Sequence, residues 1–110
     1  MINYKIIIGL NDQETKKQEI ETDKAEDIIA EMLILNYGLY GATLSRCKGI
    51  YRMESTGEII KEISIKIEIS SDETIDNMLE ICKAFCRVFN QESVFFEEYE
   101  SKVKFIKEDL

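Results

Sequence analysis

Residues 58–70 read EIIKEISIKIEIS, and this stretch decides the fold of the 110-residue chain. From position 59 to position 69, every second residue is isoleucine except Lys61, while the positions between them are mostly charged or polar. A strand that packs one face on a core needs this period of two. The tight turn Ser55-Thr56-Gly57 precedes it and follows another β-like run, so the region predicts a β-hairpin.

The segments on both sides of this hairpin predict an alternation of strands and helices. The predicted strands are 4–9, 41–54, 58–70 and 93–99, and the predicted helices are 23–37 and 71–90. Residues 16–21 form a candidate short strand. Asp23 and Glu26 have the spacing of a capping box at the first helix, and Gly38 can take the left-handed conformation that ends it.

This order, β-α-β-β-α-β, predicts an α+β fold. Each helix carries a single apolar stripe, so both helices must cover the same face of one antiparallel sheet. The simplest arrangement is the ferredoxin-like sandwich. We therefore expect a single domain over residues 1–110, with 103–110 as a C-terminal tail.

The composition argues against several kinds of function. The chain has 22 acidic residues, a net charge of −8 and no histidine. Histidine is the commonest general base and a common zinc ligand. The sequence thus favours binding over catalysis, and it predicts no catalytic residue, no metal site and no cofactor. The negative charge disfavours direct contact with nucleic acid or an anionic membrane and favours a protein partner with a basic surface.

The three cysteines, Cys47, Cys82 and Cys86, predict free thiols in a reducing cytoplasm. No signal-like segment precedes them, and no apolar run has membrane-spanning length. Cys82 and Cys86 share one face of the second helix and could bind a soft metal or form a redox pair. Since that face is apolar, we expect core thiols.

Three basic residues share strand parity within residues 44–53: Arg46, Lys48 and Arg52. If their face is the open face of the sheet, they predict cross-strand charge pairs with the second strand of the hairpin. A small anion-binding or RNA-binding patch is the alternative. Tyr51 has the opposite parity, which weakens the RNA interpretation because base stacking needs aromatic side chains on the same face.

The last strand has large apolar residues on both faces. Phe95 and Phe96 are adjacent, so one of them must lie on the open face of the sheet. Exposed aromatic residues often mark an interface. Together with Ile60, they predict a homodimer through the open sheet, and a tail or loop that covers this face is the alternative.

Two short motifs carry a resemblance to a known group of proteins. Ile8-Gly9-Leu10-Asn11-Asp12, at the end of the first strand, and Phe89-Asn90-Gln91-Glu92-Ser93-Val94, before the last, resemble small uncharacterised proteins of phages and integrated elements of Gram-positive bacteria. The resemblance implies an accessory gene of a mobile element. It implies no catalytic residue, and it makes an inhibitor of host defence that imitates nucleic acid a reasonable expectation.

The leading hypothesis is therefore a non-enzymatic interaction protein that occupies a basic surface of a host defence protein. The predicted contact residues are Asp12, Glu14, Glu19, Glu21, Glu97, Glu98 and Glu100. The alternative is a small-ligand-binding or regulatory homodimer with a pocket near Tyr37, Tyr40 and Tyr51. An enzyme is the third hypothesis.

Overall fold

Six helices and strands make up the domain in the computed structural model, which describes residues 1–109. They are β1 (Ile2–Gly9), α1 (Thr22–Glu31), β2 (Thr43–Arg52), β3 (Ile59–Ser71), α2 (Met78–Val88) and β4 (Phe95–Glu100). The four strands form one antiparallel sheet in the order β2-β3-β1-β4, with both helices on one face. The predicted ferredoxin-like fold is confirmed.

The two central strands supply the floor of the core. β1 and β3 pair so that Ile6 lies opposite Ile67 and Ile8 opposite Ile65, and all four side chains are fully buried. Phe85 of α2 belongs to the same buried core cluster. Burying one such side chain stabilises the fold by about 1.5–3 kcal/mol, so the alternating isoleucines of β3 fix which face meets the helices. Residues 60, 62, 64, 66 and 68 of β3 therefore lie on the open face.

The first helix begins differently from the prediction. Its N-cap is Glu21, and no side chain caps it, so the predicted capping box of Asp23 and Glu26 is wrong. Both carboxylates bind Arg46 of β2 instead. The helix continues as a π-helical turn over Met32–Asn36, and Gly38 follows with φ +71° as predicted.

The second helix begins at Met78, seven positions later than predicted. Ser71 extends β3 and pairs with Ile2, so the chain is still extended there. The Ile75 N–H then donates a hydrogen bond of 2.9 Å to the Tyr4 hydroxyl, which ties the connection to the sheet. The short strand expected over 16–21 does not form, and an isolated bridge between Asn11 and Gln18 stands in its place.

The hairpin of β2 and β3 extends past the end of β1. Gly9, the last residue of β1, lies opposite Ser64, whereas the β2–β3 pairing continues to Arg52 and Ile59. At about 3.3 Å per residue the projecting part is roughly 15 Å long. We call residues 48–63 the arm. Within the described chain no helix is both long and apolar enough to cross a bilayer.

Candidate functional site

A carboxylate on the open face lies against two residues that lack side chains. Glu62 of β3 is opposite Gly49 of β2, and its carboxylate passes over Gly9 of β1. A Cβ atom at Gly9 would lie 2.5 Å from Glu62 Oε1, and one at Gly49 would lie 3.3 Å from Glu62 Cγ. The backbone N–H of Asn11 donates to Glu62 Oε2 at 3.1 Å. The fold thus holds this carboxylate at a defined place.

Two loops at the same end of the sheet are bound to each other. Gln91 Nε2 donates to the Asn11 carbonyl at 2.6 Å, and the Gln13 N–H donates to the Asn90 carbonyl at 3.0 Å. Asn90 has φ +46°, a left-handed conformation that asparagine tolerates better than most residues. These bonds place the loop after β1 beside the loop before β4, which is possible because β1 and β4 are neighbours in the sheet.

Asp12 has a structural role in this arrangement. One oxygen accepts hydrogen bonds from the Glu14 and Thr15 N–H groups, and the other accepts a bond of 2.9 Å from Asn90 Nδ2. The bond from Asn90, followed by those from Thr15 and Glu14, lowers the pKa of Asp12 below its usual range. Both oxygens are thus already engaged within the chain.

The two loops and the neighbouring strands line an open cavity of about 420 Å³, which we call the Glu62 pocket. A ligand site typically has roughly 300–1,000 Å³. Its lining holds three carboxylates and one ammonium group. The lining residues are Ile7, Gly9, Asn11, Asp12, Gln13, Lys16, Tyr51, Glu62, Ser64, Gln91, Glu92 and Ser93. Such a pocket suits a polar ligand that carries positive charge.

The tyrosines predicted to line one pocket are separated in the structure. Tyr51 lies at the Glu62 pocket, whereas Tyr40 is exposed and borders two other cavities. Tyr37 packs against the core.

The acidic residues predicted to contact a partner form two separate groups. Asp12, Glu14 and Glu19 lie in the loop after β1, and Glu21 occupies the N-cap position of α1 without capping it by its side chain. Glu100 lies opposite Ile2, at the other end of β1. The open face of β4 carries Glu97, which forms an ion pair with Lys5. Glu98 and Glu100 point to the helix side, because they pair with core-facing positions of β1.

The predicted apolar interface is likewise divided. Phe96 packs on the helix side, where its ring stacks on Tyr4 at a centroid distance of 6.1 Å. Phe95 is 50% exposed on the open face, as expected for one of the pair. Ile60 shares that face but lies in the arm, beyond the end of β1. The open face therefore does not bring the three residues together.

The three basic residues of β2 do share a face, and it is the helix side. Arg46 lies opposite the buried Ile65. Its guanidinium donates to both Glu26 oxygens, at 2.6 and 3.3 Å, and to Asp23. The charge pairing that the sequence predicted across the open sheet is made with α1 instead.

The cysteines behave as predicted for core thiols. Cys82 is buried, and burial, followed by the neighbouring Cys86, raises the pKa of its thiol to about 11. Cys86 is partly buried on the same helix. Among residues 1–109 no three metal-ligating side chains form a cluster.

Most of the residues that converge on the pocket were not among those predicted from the sequence. Glu62 looked like any polar residue of an alternating strand, and Gln91 and Glu92 looked like loop residues. One signal was available in the hairpin, since its register places a glycine, Gly49, opposite Glu62. The two motifs quoted above, residues 8–12 and 89–94, also both contribute to the lining.

Comparison with known proteins adds information on the fold. No protein-family model and no curated sequence matches the chain. A phage SAM lyase in complex with S-methyl-5′-thioadenosine superposes with a TM-score of 0.66 at 23% identity, covering 90% of this chain and 80% of that one. Its apo state gives 0.61 at 23% identity, covering 89% and 78%. A DUF3240 family protein from Shewanella baltica gives 0.53 at 11% identity, covering 96% of both chains.

Proposed function

We propose that the Glu62 pocket binds S-adenosylmethionine and that the protein cleaves this ligand as a lyase, releasing S-methyl-5′-thioadenosine. The observation that carries the proposal is the fixed carboxylate of Glu62, held over Gly9 and Gly49 inside a cavity of about 420 Å³. Support comes from the similarity in fold to a phage SAM lyase that binds S-methyl-5′-thioadenosine. The fold similarity suggests the ligand class, and the geometry of the pocket supports this location for it.

The lining groups match the groups of this ligand. S-adenosylmethionine has an ammonium group, a sulfonium centre, a carboxylate and ribose hydroxyls. Glu62 and Glu92 can accept hydrogen bonds from the ammonium group and the hydroxyls, and Lys16 can pair with the carboxylate. The Tyr51 ring, 37% exposed at the pocket, offers a face on which adenine can stack.

The chemistry needs no histidine. In a displacement within the substrate, an oxygen of its own carboxylate attacks Cγ and forms a lactone. The Cγ–S bond breaks, its electron pair goes to sulfur, and the neutral thioether departs. No proton has to be removed by the protein, so the contribution of the pocket is to hold the carboxylate near Cγ.

The charge change in this reaction assigns a role to Glu62. The sulfonium charge disappears as the bond breaks, so a carboxylate beside sulfur would stabilise the substrate more than the transition state. A carboxylate that binds the ammonium group avoids this penalty, since the ammonium charge persists. We therefore assign Glu62 to the ammonium group.

The test is a comparison of two matched variants on one strand. Glu62→Gln removes the charge from the pocket, and Glu68→Gln removes the same charge six residues away on the same face of β3. We expect the native protein to produce S-methyl-5′-thioadenosine from S-adenosylmethionine, as measured by chromatography and mass spectrometry. Because the ammonium charge persists in the transition state, loss of this hydrogen bond between charged groups should raise KM and so lower kcat/KM by about 10- to 100-fold in Glu62→Gln, with Glu68→Gln unchanged.

Two results would reject the proposal. One is the absence of calorimetric binding for both S-adenosylmethionine and S-methyl-5′-thioadenosine. The other is an equal loss of activity in Glu62→Gln and Glu68→Gln. That result would mean that the net charge of the protein affects activity and that the position of Glu62 does not. Binding without turnover would remove the lyase activity from the proposal and would favour the predicted small-ligand-binding role over an enzyme.

The acidic interaction protein is a second candidate, favoured by the net charge of −8. In this hypothesis the chain inhibits a host defence protein by occupying its basic surface. The acids of the loop after β1 would form one contact region and those of β4 another. Capture of a nucleic-acid-binding protein from nuclease-treated lysate at low salt, and its loss at high salt, is the expected result. Salt-independent capture would argue against charge mimicry.

A further inference from the structure

The two edge strands of the sheet are complementary to each other. β2 and β4 are the outer strands, and neither edge is covered by another strand of residues 1–109. On the helix side, the projecting end of β2 presents Lys48, Ile50 and Arg52. The same side of β4 presents Phe96, Glu98 and Glu100. One edge is thus basic and apolar, and the other is acidic and apolar.

These charged groups have no ion-pair partner within the described chain. Lys48 and Arg52 form no salt bridge, and neither do Glu98 and Glu100. Ile50, near the end of β2, is 67% exposed and lies between Lys48 and Arg52 on the same side of the strand. An uncovered edge strand is a ready template for pairing with another chain.

We propose that the β2 edge of one copy of this chain pairs with the β4 edge of a second copy and continues the sheet across the interface. β2 runs parallel to β1, because both are antiparallel to β3, and β4 runs antiparallel to β1. A second copy in the same orientation therefore meets the first with antiparallel edges. Both copies then keep their helices on one side.

In one register of the two edges, complementary side chains lie opposite each other on both faces of the sheet. With Ile50 opposite Phe96, Lys48 lies opposite Glu98 on the helix side, and Tyr51 lies opposite Phe95 on the open side. A groove of about 320 Å³ beside β4, lined in part by Leu79, Phe96 and Glu98, is open to receive Ile50. Aromatic and opposite-charge cross-strand pairs both stabilise antiparallel strand pairing.

The same charges disfavour symmetric pairing. An antiparallel contact of β2 with β2 would bring lysine and arginine together, and β4 with β4 would oppose glutamates. The interface must then join different surfaces on the two copies, and such contacts close into rings or continue as filaments. The register also places Phe95 of one copy beside Tyr51 of the next, at the rim of the Glu62 pocket.

The test is a charge exchange across the interface, with the mass measured by analytical ultracentrifugation over a concentration series. We expect the native chain to sediment as a multiple of the 12.8 kDa monomer. Lys48→Glu and Glu98→Lys should each shift it to monomer, and the variant carrying both should recover the native mass. Glu80→Lys changes the same charge on α2, where Glu80 and Lys83 are about two-thirds exposed, and should leave the mass unchanged.

A native monomer at all concentrations would overturn the proposal. So would failure of the double variant to recover the native mass when circular dichroism shows it to be folded. If neither single reversal alters the mass but Phe95→Ser does, the copies associate through the open face, as the sequence predicted, and the edge pairing is wrong. None of these measurements uses a ligand, so the outcome is independent of the proposed lyase activity.

Discussion

The site depends first on two positions that have no side chain. At Gly9, a methyl group would lie 2.5 Å from Glu62 Oε1, so Gly9→Ala must displace the carboxylate. The displaced group is the end of a flexible side chain, and we expect a stability loss below about 1 kcal/mol. Affinity for S-adenosylmethionine, measured by calorimetry, should fall about 10-fold because the charged hydrogen bond from its ammonium group to Glu62 is weakened.

A second alanine substitution separates this effect from loss of backbone freedom. At Gly41, a Cβ atom would have no heavy atom of another part of the chain within 4 Å, and Gly41→Ala should keep native affinity. In a Glu62→Gln background, Gly9→Ala should cause little further loss, since both changes act through one group. Fully additive losses would show that Gly9 acts on the ligand by another route.

Among the secondary-structure elements, α1 is held to the edge of the sheet by Arg46. The bidentate bond from Arg46 lowers the pKa of Glu26 below its ordinary value. A carboxyl group whose pKa is depressed on folding contributes stability above its unfolded pKa, and that contribution is lost as the pH falls through the folded value. Arg46→Met should therefore lower the melting temperature at neutral pH, and the difference should disappear in acid.

The control for this prediction is Lys24→Met, which removes a positive charge from the exposed side of the same helix. It should have little effect at either pH, because isolated surface charges contribute little. A melting-temperature difference for Arg46→Met that is the same at neutral and acid pH would mean that packing of the arginine stem, rather than the ion pair, stabilises α1.

The strands were more predictable than the helix boundaries, for reasons visible at particular residues. The alternation in β3 reports directly which side chains meet the core, so its face assignment was correct. The start of α2 was wrong because Ser71 looks like a helix cap in sequence, whereas it pairs with Ile2. That pairing joins residues far apart in the chain. The site was missed for the same reason, since Gly9 and Glu62 meet only through strand pairing.

At the scale of the whole molecule, strand order explains why the pocket forms where it does. β1 and β4 are neighbours, so the loop after one meets the loop before the other. β3 lies on the other side of β1 and contributes Glu62, and β2 contributes Tyr51. The pocket therefore combines four separate stretches of the chain. These stretches meet only when the whole domain is folded. The prediction of one domain with a tail from residue 103 can therefore be tested by removing the tail.

Deletion of residues 103–110 should leave the domain intact. Phe105 and Ile106 are 73% and 79% exposed, so their removal takes little apolar surface out of the core. Ser101, which bonds to Asn3 Nδ2 at 2.6 Å and to the Met1 carbonyl, is retained. A loss of 1 kcal/mol would lower the melting temperature by about 4–8 °C in a domain of this size, and we expect a smaller change in thermal unfolding. A larger drop would show that the tail packs on the domain and contributes to its stability.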